Sequence, residues 1–182
     1  MPAAGAWKYF WLAYGSKPVG ERALYRLIAR HKPRRIMEIG LGTATRSRRL
    51  IEVALRYAAG AEVYFVGVDQ FETREAGQPR LTLKESHRLL KETKAQVQLV
   101  PGDPLSALGR MANRIRDIEL LLVSAEVEPA AMDAAWFYIP RTLHGTARVL
   151  VEQPAADGKA TVWNAVSRPE LEQRARRPRR AA

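Results

Sequence analysis

Two glycines and two acidic residues at the ends of apolar runs have the clearest potential for chemistry. The run 35–39 contains Glu38 and leads directly into Gly40 and Gly42, and a second apolar run, about thirty residues later, ends on Asp69. Glycine lets a backbone turn sharply and approach a ligand closely. A carboxylate at the end of the next strand is placed to accept hydrogen bonds from two ribose hydroxyls. The spacing therefore predicts a βαβ unit that binds an adenosine-containing cofactor.

The glycine turn distinguishes between two classes of adenosine cofactor. A dinucleotide site uses G-x-G-x-x-G beside a pyrophosphate, and Thr45 stands where its third glycine would be. Glu38 would repel a pyrophosphate, whereas it suits a cofactor that carries an ammonium and a sulfonium group. These two residues favour a sulfonium cofactor over NAD.

The pattern Glu38-x-Gly40-x-Gly42 resembles motif I of the class I S-adenosylmethionine (SAM)-dependent methyltransferases. Asp69 is similar to the acidic residue after that family's second strand, and Gly102-Asp103 to the pair after its third. The segment 67–72, Gly-Val-Asp-Gln-Phe-Glu, resembles the small-molecule O-methyltransferase-like group. The resemblance covers roughly residues 33–153. It implies SAM as the cofactor and transfer of a methyl group to an oxygen of a small-molecule acceptor.

The resemblance also implies a set of cofactor-binding residues at the glycine turn and after strands two, three and four. They are Glu38, Gly40, Gly42, Thr43, Asp69, Gln70, Phe71, Asp103 and Ser124. Some have a structural alternative. Asp103, in a Gly-Asp-Pro turn, also suits the N-cap of the following helix, and Phe71 suits ordinary packing as well as an adenine contact. Thr43 is placed to cap the helix that follows the turn.

The acceptor side is less well defined. Metal-dependent relatives of this fold place an Asp after strand four, where this chain has Ser124, and an acidic pair after strand five, where it has Glu152 and Gln153. A neutral Ser124 removes charge where Mg²⁺ would bind, so we expect no bound metal. Glu126 and Glu152 are the candidate general bases.

The elements that must position these residues alternate regularly along the chain. The expected fold is α/β, a Rossmann-like, doubly wound, mostly parallel sheet in the order 3-2-1-4-5. It is abbreviated at the C-terminus, because few residues follow strand five; residues 160–166 are compatible with a strand or a helix, and a second copy of the chain is an alternative way to complete the edge. Apolar runs predict five strands, at 35–39, 62–68, 97–100, 119–123 and 147–151.

Local signals also predict helix boundaries. Thr82 and Glu85 have the spacing of a capping box. Pro129 is expected to start a helix that bends at Pro140 and ends at Gly145. The unbroken apolar run 120–123 is typical of a parallel strand covered on both faces.

The charge of the chain is strongly positive. Its 182 residues contain 30 Lys and Arg against 19 Asp and Glu, a net charge of +11. We expect residues 1–168 to form a single SAM-binding domain with an N-terminal helical extension. We expect residues 169–182 to form a basic, disordered tail, because the run from Arg174 to Arg180 has a proline and no apolar periodicity. Such charge attracts polyanions, but partners of the nucleic-acid class are not favoured.

Several classes of protein are excluded or disfavoured. The chain has no cysteine, which excludes disulfides, thiolate metal sites and a cysteine nucleophile. No apolar run approaches the ~20 residues that span a bilayer. We therefore expect a cytoplasmic protein with no membrane partner. The leading hypothesis is a SAM-dependent O-methyltransferase; the alternatives are a non-catalytic SAM-binding protein and a nucleic-acid-directed methyltransferase.

Overall fold

Six strands form one sheet in the computed structural model, which describes residues 3–15, 20–75, 77, 80–155 and 161–176. The strands are β1 (Arg35–Ile39), β2 (Tyr64–Asp69), β3 (Gln96–Pro101), β4 (Ile118–Val123), β5 (Leu143–Pro154) and β6 (Thr161–Val166). The α-helices are α1 (Ala3–Phe10), α2 (Glu21–His31), α3 (Thr45–Tyr57), α4 (Leu83–Lys91), α5 (Pro104–Met111), α6 (Pro129–Ala135) and α7 (Arg168–Arg176). A π-helical turn (Trp11–Gly15) follows α1, and 3₁₀ helices lie at Phe71–Thr73 and Trp136–Thr142.

The strand order is β3-β2-β1-β4-β5-β6, which confirms the predicted order of the first five strands. These five run parallel, and β6 lies antiparallel to β5 at the edge. Ile39 of β1 lies beside Val68 of β2 and Val123 of β4. The carboxyl ends of these strands therefore meet at the topological switch point, where open α/β sheets bind their ligands.

Helices cover both faces of the sheet and bury two apolar layers. On one face, Leu24 of α2 and Leu50 of α3 belong to a cluster that includes Phe65. On the other face, Leu108 of α5 belongs to a cluster that includes Met37. Strand β4 is buried along most of its length, as expected for a parallel strand covered on both faces.

The capping prediction for α4 is confirmed, and that for α3 is wrong. Thr82 accepts a hydrogen bond from the backbone N–H of Glu85, and the Glu85 carboxylate accepts one in return, which completes the capping box of α4. Thr43 does not cap α3. Ala44 holds the N-cap position in the left-handed conformation without a side-chain cap, and the Thr43 hydroxyl pairs with that of Thr45 instead.

The segment between β4 and β5 differs from its prediction. Pro129 does start a helix, and Pro140 lies in the 3₁₀ helix that continues it. The prediction that Gly145 ends this helix is wrong, because Gly145 lies inside β5. Strand β5 begins earlier than predicted and pairs with β4 across a register shift between Ile118 and Leu120. The segment 160–166, compatible with either element, contains strand β6.

The prediction of a disordered tail from residue 169 is wrong for its first half, because α7 extends to Arg176; residues 177–182 lie outside the described residues. The Ser167 hydroxyl accepts a hydrogen bond from the backbone N–H of Glu170 at the start of this helix. Leu171 is buried, and the Arg174 guanidinium lies 4.9 Å from the centroid of the Trp136 ring. Tertiary packing thus stabilises a helix of mostly charged residues.

Within the described part of the chain, no helix is long and apolar enough to cross a membrane. The cytoplasmic location, the single domain over 1–168 and a homodimer stay predictions.

Candidate functional site

The turn after β1 holds its backbone tightly against the loop that follows β4. Gly40 and Gly42 have φ values of +87° and +56°, in the region that favours glycine. A Cβ on Gly40 would lie 2.6 Å from Cγ2 of Val127, and one on Gly42 would lie 2.7 Å from Oε2 of Glu126. Conformation and close approach both favour glycine at position 40, whereas at position 42 the backbone conformation is the main reason, because the Glu126 carboxylate is the end of a flexible side chain.

A cavity of about 230 Å³ lies next to this turn, at the carboxyl ends of β1 and β2. Its lining brings together four residues that the sequence places in the site, Gly40, Asp69, Gln70 and Glu126. Arg74, which the sequence analysis does not single out, lines it as well. These four predicted residues thus line one cavity of the molecule.

A second cavity of about 520 Å³ lies at the carboxyl ends of β4 and β5, and Val127 lines both cavities. Met132 and Trp136 contribute apolar walls, and Ser124 and Glu152 contribute polar groups. The loop after β4 therefore stands between a smaller polar cavity and a larger, more apolar one. A cofactor and an acceptor that react with each other need such adjoining spaces.

Asp69 is buried, and its carboxylate is already hydrogen-bonded to capacity. The backbone N–H groups of Leu41 and Gly42 donate to Oδ2 at 2.5 and 3.0 Å, and that of Phe71 donates to Oδ1 at 2.8 Å. Arg74 donates from Nε to Oδ1 at 2.7 Å and from Nη2 to Oδ2 at 2.5 Å. Because a carboxylate accepts about four hydrogen bonds, these donors leave no room for another.

Arg74 bridges the end of β2 and the loop after β4. Besides its two bonds to Asp69, its Nη1 donates to Oε2 of Glu126 at 2.7 Å. Burial would raise the pKa of Asp69, but the bonds from Arg74 and from the Phe71 N–H hold that pKa below its usual range. Asp69 is therefore ionised, and a ligand hydroxyl can bind it only after Arg74 moves.

A second arginine, Arg46, forms an ion pair with Glu38, the acidic residue just before the glycine turn. Glu38 is fully buried and accepts hydrogen bonds from the Ser47 hydroxyl at 2.6 Å and from Nε of Arg46 at 2.8 Å. Arg46 also donates to Glu152 at 2.9 Å, and its guanidinium lies 5.1 Å from the centroid of the Trp163 ring. Burial raises the pKa of Glu38, and Arg46 and Ser47 oppose that shift.

Glu152, a candidate general base, is held by several donors at once. In addition to Arg46, its Oε2 accepts hydrogen bonds from the Ser124 hydroxyl at 3.3 Å and the Ala125 N–H at 3.2 Å, and its Oε1 from Thr161 at 2.7 Å. Burial would raise its pKa, but Arg46 and Thr161 keep that pKa below its usual range. A general base works best when its pKa is near the working pH. These contacts favour a role in positioning for Glu152.

Glu126 is the more accessible of the two candidate bases, with a side chain that is 45% exposed. It is bound by Arg74, whereas Glu152 is bound by Arg46. The structure thus places the two carboxylates in separate arginine-centred groups. The catalytic roles of both residues stay predictions.

Four further predicted residues lie in different environments, and of these Gln70 lines the first cavity, whereas Thr43, Phe71 and Asp103 do not. Thr43 and Gln70 are exposed, whereas Phe71 is buried at a φ of +52°. Asp103 caps α5, because its Oδ1 accepts from the backbone N–H of Ser106 at 3.0 Å and its Oδ2 from the hydroxyl at 2.5 Å. The N-cap alternative for Asp103 is therefore confirmed, and its contact with adenine stays a prediction.

Arg46 and Arg74, which organise the charges of the site, are not among the residues predicted from the sequence. Arg74 follows Asp69 by five positions, but nothing local marks it among the many arginines of the chain. Arg46 reaches Glu152 across a separation of 106 residues. Among the described residues, no group of three or more His, Asp or Glu side chains is placed to hold a metal ion.

Comparison with solved structures identifies the architecture. The chain has the Rossmann-like fold of the class I SAM-dependent methyltransferases. The O-methyltransferase TomG from Streptomyces achromogenes, involved in tomaymycin synthesis and solved with SAM, is 17% identical; the match covers 97% of this chain and 74% of TomG, with a TM-score of 0.57. An O-methyltransferase from Bacillus cereus in complex with SAH is 12% identical, with coverage of 96% and 76% and a TM-score of 0.60.

A third structure with this fold is CalS11, a calicheamicin methyltransferase. It is 16% identical, and the match covers 82% of this chain and 77% of CalS11 with a TM-score of 0.56. No protein-family model matches the sequence, and no curated protein matches it.

Proposed function

We propose that this chain binds SAM and transfers its methyl group to an oxygen of a small-molecule acceptor. The observation that carries the proposal is the position of Asp69. It ends β2 beside the glycine turn, lines a cavity at the switch point of the sheet and is ionised. A carboxylate in that place suits a ribose diol. TomG and the B. cereus protein, which share the fold, are O-methyltransferases solved with SAM and SAH.

The residues around the first cavity fit an adenosine cofactor. Gly40 and Gly42 supply backbone where a Cβ would collide with the facing loop. Asp69 would hold the ribose, while Gln70, Phe71 and Asp103 would lie around the adenine. Glu38, Thr43 and Ser124 would act at the amino-acid end, with Glu38 working through Arg46 rather than by direct contact, because its carboxylate is buried and bonded.

When bound, SAM supplies an electrophilic methyl group on a sulfonium sulfur. The protein's task is to align an acceptor oxygen with that methyl and to exclude water, and such alignment can lower a barrier by roughly 7 to 11 kcal/mol. The second cavity is placed for the acceptor, with Met132 and Trp136 as apolar walls. Glu126 is the candidate base for the acceptor hydroxyl. We expect no divalent metal in this step, because Ser124 carries no charge.

A non-catalytic SAM-binding protein is the second candidate function. The observation that favours it is that both candidate bases carry an arginine partner. One assay distinguishes the two functions, namely the formation of SAH when the protein is supplied with SAM and mixtures of acceptors. A non-catalytic protein would bind SAM without yielding SAH. A nucleic-acid-directed methyltransferase would require DNA or RNA as the acceptor in the same assay.

Binding of SAM or SAH should raise the melting temperature of the protein, and NAD should not. A ligand at one hundred times its dissociation constant adds about 2.7 kcal/mol of stability, which corresponds to roughly 5–10 °C for a chain of this length. Differential scanning fluorimetry with each ligand measures the shift. Asp69→Asn should abolish the response to SAH, because the ribose would lose its carboxylate.

Gln98→Glu is a control for that variant, because it alters a side chain on β3 that bonds Tyr64 and does not line either cavity. It should respond to SAH as the unmodified protein does. A shift with NAD and none with SAM or SAH would overturn the proposed cofactor.

A further inference from the structure

Four aromatic side chains near the N-terminus form an exposed strip, which we call the aromatic face. Trp7, Phe10, Trp11 and Tyr14 are 78%, 56%, 54% and 54% exposed. Phe10 lies between two of the others, with its ring centroid 6.2 Å from that of Trp7 and 5.0 Å from that of Tyr14. The strip is therefore one continuous apolar surface and not a set of isolated side chains.

The spacing of the aromatic face is that of one side of a helix. Positions 7, 10, 11 and 14 follow the i, i+3, i+4, i+7 pattern of an amphipathic helix. In most surface helices that side is buried. Here the opposite side, with Leu12 and Ala13, packs into the protein. An exposed apolar strip of this kind marks an interaction site.

The N-terminal part of the sequence, which contains the aromatic face, is strongly basic. The first 35 residues contain eight Lys and Arg and a single acidic residue, Glu21. Glu21 is buried and bonded to Tyr25, so it does not offset this charge at the surface. The Arg26 guanidinium lies 5.8 Å from the Tyr14 ring centroid, and Arg30 is exposed one helical turn further along α2.

Lys8 and Glu52 complete the charged surroundings. Lys8 projects from α1 and forms an ion pair with Glu52 of α3 at 2.6 Å. Glu52 also pairs with Arg48 at 3.3 Å, and Arg48 pairs in turn with Glu92 at 3.3 Å, so the charges of this group balance. The positive charge beside the aromatic face therefore comes from Arg26 and Arg30.

We propose that the aromatic face docks the protein on an anionic lipid surface. Trp and Tyr rings favour the headgroup region of a bilayer, where their apolar bodies leave water and their polar atoms remain hydrated. A helix with aromatic residues on one side and basic residues beside it lies in the plane of the interface. The positive charge is complementary to anionic headgroups, which attract each nearby Lys or Arg. The protein would lie on the membrane without spanning it, and this proposal replaces the expectation from the sequence that the protein has no membrane partner.

Two other binding partners fit the aromatic face less well. A symmetric dimer through the same face would place the basic surroundings of one copy against those of the other, since a twofold interface brings identical patches together. Single-stranded nucleic acid needs open ring faces on which bases stack. The rings of Trp7 and Phe10 instead stack on each other, with an angle of 12° between their planes.

Vesicle sedimentation with the full chain tests the proposal. We expect the protein to sediment with phosphatidylcholine vesicles that contain about one third phosphatidylglycerol, and to bind pure phosphatidylcholine at least tenfold more weakly. Raising the salt concentration from 0.1 M to 0.5 M should release most of the protein, because it shortens the range of the attraction. The double variant Trp7→Ser/Trp11→Ser should bind anionic vesicles at least tenfold more weakly.

Phe137→Ser is the matched control, because Phe137 is an exposed aromatic side chain, 45% exposed, on the 3₁₀ helix after α6. It should bind vesicles as the unmodified protein does. Arg30→Gln should reduce binding about fivefold. Circular dichroism should show unchanged folding, since the altered side chains are exposed.

Three results would overturn the proposal. The first is vesicle binding by the double variant at the unmodified level. The second is a dimer in sedimentation velocity that dissociates when Trp7 and Trp11 are replaced, which would assign the face to a second copy. The third is binding of oligo(dT) or oligo(U) that is lost in the double variant while vesicles are not bound by either protein.

Discussion

Replacing Arg74 by Ala is expected to lower the stability of the protein and to raise its affinity for SAH. Arg74 donates two hydrogen bonds to Asp69 and one to Glu126. Hydrogen bonds to charged groups contribute about 1.5–3 kcal/mol, so the melting temperature should fall by roughly 3–12 °C. The same bonds must break before a ribose can bind Asp69. Without them, the affinity for SAH should rise about tenfold to a hundredfold.

Calorimetric titration with SAH, together with thermal unfolding, measures both effects in one preparation. Arg80→Ala is the matched control. Arg80 lies in the same loop and donates to the backbone carbonyls of Arg74 and Glu75, but it does not bind Asp69. Its replacement should leave the affinity for SAH within about twofold. A loss of SAH affinity in Arg74→Ala would show that Arg74 contacts the ligand and does not compete with it. If neither protein binds SAH, the proposed cofactor itself is wrong.

The opposite signs of the two effects follow from a site whose charges are already satisfied. Asp69 and Glu38 are the acidic residues that the sequence assigns to the cofactor, and each is bound by an arginine of the same chain. Binding of a ribose to Asp69 therefore replaces the hydrogen bonds from Arg74 and does not simply add new ones. This is why stability and affinity can be separated by one substitution.

The sequence allowed the fold and the acidic residues of the site to be predicted, because both depend on local patterns. Apolar runs with helices between them predict parallel strands, and the residue after each run lies at the ligand-binding end of the sheet. Asp69 follows from this rule and from the family resemblance, Asp103 from the resemblance, and the cap on α5 from the Gly-Asp-Pro turn. The structure agrees with each of these placements.

The partners of those acidic residues could not be predicted in the same way. Arg46 lies on α3 and joins β1 to β5, and no spacing in the sequence relates it to Glu152. Long basic side chains are common in this chain, and their partners depend on tertiary structure. The donors to Glu152 could not be predicted for the same reason, because they come from Ser124, Ala125 and Thr161 as well as Arg46. These donors favour a positioning role for Glu152 over the predicted catalytic one.

Helix α7 was missed although a local signal existed. Ser167 and Glu170 have the Ser-x-x-Glu spacing of a helix start, and Pro169 stands in the first turn. The high charge of the segment outweighed that signal, because charged runs with a proline are typical of disorder. The buried Leu171 and the contact of Arg174 with Trp136 supply the packing that composition does not show.

Replacing Arg46 by Met is expected to cause the largest loss of stability of any substitution considered. The change leaves Glu38, which is fully buried, and Glu152 without their shared cation. Removing one partner of a buried ion pair costs about 3–5 kcal/mol. The melting temperature at neutral pH should therefore fall by roughly 6–20 °C. Arg48→Met, on the same helix, removes only partly exposed ion pairs with Glu52 and Glu92 and should cost less than about 1 kcal/mol.

The stability of Arg46→Met should also depend on pH more steeply than that of the unmodified protein. In the unmodified protein the pKa values of Asp69 and Glu152 are lowered, so their contribution is present above the unfolded pKa and is lost as pH falls through the folded pKa. Without Arg46, burial of Glu38 is opposed by the Ser47 hydroxyl but no longer by a cation, so its pKa rises further above the unfolded value. Stability then increases as pH falls and is lost as pH rises through that raised pKa.

Urea unfolding of both proteins between pH 5 and pH 8 measures this dependence. The unmodified protein should depend on pH less than the variant over this range, because its lowered pKa values lie below it and Arg46 opposes the rise of the Glu38 pKa. The free energy of unfolding of Arg46→Met should rise toward pH 5, and Glu38→Gln added to Arg46→Met should remove most of that dependence. A variant that is equally destabilised at pH 5 and pH 8 would show that Arg46 contributes through packing on Trp163 and not through the charge of Glu38.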